Sequence, residues 1–141
     1  MKTTGIRVLD DAPQIVAEWL DLLQVDLNWH DRDQAYLLLR QTLHALRDFL
    51  TVDEAAGLAA KLPTLLRGIY FEGWVPSNTP PHSRSADDFL DRVMKPFQSR
   101  PPTEPDAAVS AVLALLRCQI ILSEYDQTAL RAREPSPDMR M

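Results

Sequence analysis

Between residues 35 and 50, inward-type side chains recur at Ala35, Leu39, Thr42, Leu43, Leu46, Phe49 and Leu50, at steps of four, three, one, three, three and one. That spacing traces one face of an α-helix and cannot arise from the period-two alternation of a strand. It predicts a helix over about 32–50, with Asp31-x-x-Gln34 reading as its capping box. Arg40, Gln41, Arg47 and Asp48 fall on the other faces of this helix. Two punctuated segments follow. Thr51-x-x-Glu54 is a second capping box and opens a helix to about Leu62, with Val52, Ala55, Leu58 and Ala59 inward. Pro63 cannot continue that helix but can begin another, which is expected over Thr64 to Phe71 and stopped by Gly73.

The flanking chain is also helical in pattern. The first ten residues read as a tail, and Asp11 with Pro13 suits a helix start. Ile15, Val16, Trp19, Leu20, Leu22, Leu23 and Leu27 then form an apolar stripe over about 12–27, broken by residues 28–30. Residues 75–84 read as a proline-rich surface loop. Ser85-x-x-Asp88 caps a helix carrying Phe89, Leu90, Val93 and Met94, which Pro96 curtails. After a linker over 98–105, a long apolar helix is expected from Asp106 to about Leu122. Ser123-x-x-Asp126 would start a last helix that fades by Pro135, leaving a frayed tail over 136–141.

An internal repeat organises these elements. At a shift of 72 residues, Ala35 meets Ala107, Leu43 meets Leu115, Leu50 meets Leu122, Leu58 meets Leu130, Ala60 meets Ala132 and Pro63 meets Pro135. Character is kept where Leu46 meets Cys118, Phe49 meets Ile121, Thr51 meets Ser123 and Glu54 meets Asp126. At a shift of 70, Glu18-Trp19-Leu20-Asp21 overlays Asp88-Phe89-Leu90-Asp91. The expected fold is all-α: a helical bundle of two similar three- to four-helix halves made by internal duplication. The halves fall at 11–74 and 85–134 of a single domain over 1–141. Thr64 to Trp74 has no counterpart in the second half.

Composition narrows the function classes. At 141 residues the chain can bury roughly two thirds of its unfolded surface. A net charge of −5 removes any general attraction to nucleic-acid phosphates or anionic lipid. The one basic cluster, Arg84, Arg92, Lys95 and Arg100, is interleaved with Asp87, Asp88 and Asp91. A single cysteine, Cys118, excludes an intrachain disulfide and a four-thiolate zinc site, and its alignment with Leu46 predicts an inward, hydrophobe-like role. No apolar run has the length of a signal peptide or a membrane span, so a cytoplasmic location is expected, with no membrane partner.

Catalytic chemistry finds no constellation. His30, His44 and His82 are not paired at metal-ligand spacing, so no metal and no cofactor are expected. The paired carboxylates Asp10-Asp11, Asp53-Glu54 and Asp87-Asp88 all stand at predicted helix starts, where they complement the helix dipole. With only four glycines the chain holds no phosphate loop or dinucleotide fingerprint. One cluster stands out: Arg67, Tyr70, Glu72 and Trp74 around the turn at Gly73. It reads either as a closure of the helix ends, with Arg67 paired to a carboxylate, or as an aromatic–arginine contact surface for a partner, itself or another protein.

The runs Leu43-His-Ala-Leu-Arg-Asp, Leu50-Thr-Val-Asp-Glu-Ala, Leu58-Ala-Ala-Lys-Leu-Pro and Leu66-Arg-Gly-Ile-Tyr-Phe-Glu-Gly-Trp resemble an uncharacterised bacterial family, domain of unknown function 2267. Ser85-Ala-Asp-Asp-Phe-Leu-Asp-Arg-Val resembles it too, and the likeness spans residues 12–132. It implies an all-helical fold of two similar halves and carries no activity. Where that family repeats a Leu-Pro step in its second half, this chain has Arg133-Glu134-Pro135-Ser-Pro-Asp138. The function expected is a non-catalytic interaction or regulatory module that works through Arg67, Tyr70, Glu72 and Trp74. The alternative is a small-molecule sensor or enzyme with a pocket between the halves, into which Arg67 or His44 would point.

Overall fold

A computed structural model describes residues 2–78 and 85–133. His82, Arg84, Pro135 and the tail over 136–141 lie outside the described residues, as does most of the proline-rich loop. Among the described residues every regular element is helical. In chain order they are α1 (Arg7–Asp10), α2 (Ala12–Leu27), α3 (Arg32–Phe49), α4 (Val52–Ala60), α5 (Thr64–Phe71), α6 (Ala86–Met94) and α7 (Pro105–Arg133), with 3-10 turns at Pro76–Asn78 and Lys95–Phe97.

Helix α3 is the axis of the bundle and packs against α2, α4, α5, α6 and α7. Its predicted inward face is buried at Ala35, Leu39, Thr42 and Leu43, joined by Leu38 and Ala45. Around it one continuous core collects Trp19 and Leu23 of α2, Leu62, Leu66 and Tyr70, then Val93, Phe97, Val112 and Leu116. Because neighbours surround α3, burial extends to two polar positions expected on its other faces, Gln41 and Arg47, and takes in His44 as well. An amphipathic stripe says which face goes in first, but not whether the opposite face is also covered.

The helix ends follow from local chemistry. Asp31 accepts from the backbone N–H groups of Asp33 and Gln34, and Thr51 and Glu54 form the reciprocal capping box. Asn28 ends α2 in the left-handed conformation at φ 56°, a place where asparagine is well tolerated. Pro63 sits at the N-cap of α5, and Gly73 turns the chain after it at φ +70°. Ser85 accepts from the N–H of Asp88 to begin α6.

Four expectations need correction. The N-terminal tail contains the helical turn α1, because Asp10 folds back to accept from the backbone and hydroxyl of Thr4. Those two bonds also hold the Asp10 carboxyl below its ordinary range. Asp11 makes no side-chain cap, since its own backbone is already helical between α1 and α2. Helix α7 runs unbroken through Leu122 and Ser123. A capping residue permits a helix start but does not compel one, and here the unbroken backbone ladder prevails. The second half therefore lacks the break that separates α3 from α4. Finally, Cys118 is exposed. α7 packs mainly against α2, α3 and α6, and the buried side chains of its first half end at Leu115 and Leu116.

Candidate functional site

The cluster singled out in the sequence is brought together, but most of it faces inward. Tyr70 is 0% exposed and its hydroxyl donates to the Ala55 carbonyl at 2.9 Å, tying α5 to α4. Burial pushes its phenol up to about 12. Among the described residues Arg67 pairs with no carboxylate. Its Nε and Nη2 donate to the carbonyls of Ala59 and Leu62, at 2.8 and 3.0 Å. Ala59 lies in the last turn of α4, where its carbonyl also accepts from the Leu62 N–H, and Leu62 lies two residues beyond the helix. The Glu72 carboxylate lies 3.7 Å from Arg40 Nε. Trp74 stacks on Phe71 at 5.2 Å, and its indole N–H is buried without a partner among the described residues. Tyr70, fully buried, offers no surface of its own in this geometry.

The carbonyls at the end of α5 receive donors from the neighbouring helix, from His44 and from Arg47, which the sequence pattern had turned outward. His44 Nε2 is 2.8 Å from the Ile69 carbonyl. A carbonyl only accepts, so that nitrogen carries the proton. Burial lowers the His44 pKa, and the nearby Arg47 and Arg40 charges add to this against the opposing bond to Ile69. Arg47, 3% exposed, donates through Nη1 to the carbonyls of Tyr70 and Glu72. A guanidinium at this end also complements the negative end of the helix dipole. The spacing of His44 and Arg47, one turn apart, could have marked them as a pair, but nothing in the sequence says which carbonyls would face them.

Arg47 needs a counter-charge, and its neighbour supplies it. Arg47 Nε and Nη2 donate to the two oxygens of Asp48 at 2.9 and 3.2 Å. Arg92 of α6 donates to Asp48 Oδ2 at 2.9 Å, which joins the two halves of the chain. Burial alone would raise the Asp48 pKa, but the bonds and charges of Arg47 and Arg92 outweigh it, so the carboxyl sits below its ordinary value. A pocket of about 380 Å³ opens beside this triad, lined also by Phe49, Gly73, Val75 and Asn78.

Phe49 also borders a second, larger hollow. An open groove of about 510 Å³ runs where the end of α3 meets the starts of α6 and α7. Leu46, Phe49 and Leu50 form one wall, Phe89 and Leu90 another, and Val109 and Leu113 the third. Phe49 and Phe89 meet edge to face, 5.4 Å apart. Ser85, Asp106 and Ser110 supply its polar lining. Arg67 and His44 line neither hollow. Among the described residues no group of His, Cys, Asp or Glu is placed to hold a metal ion, and no helix is long and apolar enough to cross a membrane.

The model of a family of uncharacterized conserved proteins, DUF2267, matches residues 16–131. The chain belongs to the DUF2267 family. The match takes in α3, both hollows and most of α7, so the candidate surfaces lie inside the DUF2267 region. No curated protein matches the chain.

Proposed function

We propose that this DUF2267 protein is a non-catalytic interaction module that seats an amphipathic helix of a partner protein in the groove between α3, α6 and α7. The observation that carries this reading is the groove itself: seven apolar residues from three helices, left open at a seam that elsewhere is packed. A partner helix would lay its apolar face there, the usual way a helix docks in a groove. Charge supports a basic partner. Asp106 lines the groove, and exposed Asp87 follows Ala86 at its edge. Asp53 is exposed three residues beyond Leu50. A second copy of this chain, at −5 net charge, is a poorer match to such a rim.

The register between the halves supports the same reading. At the 70-residue shift, Ile15, Val16 and Trp19 correspond to Ser85, Ala86 and Phe89. Ile15, Val16 and Trp19 pack on the core, whereas Ser85, Ala86 and Phe89 border the groove, Phe89 while also packing on the core. The smaller side chains at 85 and 86 fall where space is left open.

A photoreactive amino acid placed at exposed Ser110 tests this, with the same residue at Val25 of α2, 82% exposed, as control. In native cells Ser110 should give one dominant protein adduct that maps to an apolar segment flanked by Lys or Arg, and Leu113→Lys should abolish it. Equal labelling from both positions, or an adduct indifferent to Leu113→Lys, would refute the groove as the contact.

A further inference from the structure

We propose that the pocket beside the Arg47–Asp48–Arg92 triad binds a small monocarboxylate with an apolar body. This site adjoins the groove at Phe49 but does not depend on a partner seated there.

Two guanidinium groups here share one carboxylate. The triad therefore keeps a surplus of one positive charge, in a chain whose overall charge is −5. The two arginines divide their roles. Arg47 is buried and held at Asp48, Tyr70 and Glu72, so it forms a fixed floor. Arg92 is held through Nη2 alone, and its side chain is 37% exposed. Among the described residues its Nε and Nη1 groups meet no acceptor. A guanidinium presents its donors as a planar fork that fits two carboxylate oxygens.

The remaining lining defines the rest of the ligand. Phe49 and Val75 give apolar walls, and Asn78 adds an amide. A volume of about 380 Å³ falls in the range of small-molecule sites. One negative charge balances the surplus. A phosphate dianion would overshoot it and confront the Asp48 carboxylate, so the favoured ligand is a monoanion with a compact aryl or branched alkyl body.

Amide NMR of the full chain tests the proposal with three probes: benzoate, inorganic phosphate and neutral benzyl alcohol. Benzoate should shift the amides of Gly73 and Asn78 and the Arg92 Nε–H resonance in a saturable way. Phosphate should bind at least about tenfold more weakly, and benzyl alcohol should give no saturable shift there. Arg92→Gln should weaken benzoate by about tenfold, and Arg92→Lys, which keeps the charge without the fork, should recover only part of that loss. Asn78→Ala, away from the triad, gives a second reading if Arg92→Gln fails to fold, and should weaken benzoate measurably. The proposal is overturned if benzoate leaves the pocket resonances unmoved, if phosphate or benzyl alcohol matches it, or if the variants bind it as the natural chain does.

Discussion

Replacing Asp48 with Asn probes the charged junction between the halves. The substitution keeps the shape of the side chain and removes its charge. Arg47 is 3% exposed and would be left without a counter-ion, while Arg92 would lose its only protein acceptor among the described residues. Breaking a buried ion pair from one side costs about 3–5 kcal/mol. Two features moderate this. The Asp48 side chain is 23% exposed, and an amide oxygen can still accept one of the three N–H bonds. The expected loss is therefore about 2–3 kcal/mol, a sizeable part of the ~5–15 kcal/mol that holds a domain together. For 141 residues that corresponds to a fall in Tm of about 7–10 °C. Urea unfolding followed by circular dichroism at neutral pH reads the loss directly. Arg92→Gln, which leaves the Arg47–Asp48 pair intact, should cost less than about 1 kcal/mol. The pH dependence adds an independent sign. The folded Asp48 pKa lies below its unfolded value, so its contribution is present above the unfolded value, near about 4, and is lost as pH falls through the folded one. Asp48→Asn should flatten that acid limb. A variant within about 0.5 kcal/mol of the natural chain, with an unchanged acid limb, would refute the view that Asp48 neutralises buried Arg47.

Other substitutions check other joints. Tyr70→Phe should cost about 1 kcal/mol by removing the bond to the Ala55 carbonyl, measurable by urea unfolding, and a neutral result would deny that bond a role. Thr51→Ala should cost about 1 kcal/mol by opening the capping box of α4, with helix fraying visible in hydrogen exchange over 52–55. Burial keeps the folded His44 pKa below its unfolded value, near about 6.5. The unfolded chain then binds the proton first, so stability should fall as pH drops from about 7.5 to 5.5, and His44→Gln should remove that slope. Exposed Cys118 should react fully with a thiol reagent without denaturant, whereas protection would place it back in the core.

Much of the fold was legible because helix periods and caps are local. The limits of α5, the capping box at Thr51 and the apolar stripe of α3 follow from spacing alone. What escaped depends on contacts across the chain. Arg47 and Gln41 looked outward because a stripe records only the strongest face, yet α3 has neighbours all round. The unbroken course of α7 escaped because Ser123 and Asp126 have the right chemistry for a start that nothing demands. For the site, the sequence drew attention to the side chains of Tyr70 and Glu72, whereas their carbonyls receive Arg47. Backbone acceptors leave no mark in a sequence. The groove was invisible for a related reason: it forms between α3, α6 and α7, residues far apart in the chain, and includes the small residues Ser85 and Ala86.

The most direct measurement compares hydrogen exchange of the chain alone with the chain bound to the partner captured at Ser110. If the groove seats that partner, exchange should slow over 85–90 and 106–113, at the starts of α6 and α7, and stay unchanged over 64–74. Protection confined to 64–74, with the groove segments unaffected, would contradict the groove and return the working surface to the segment between Arg67 and Trp74.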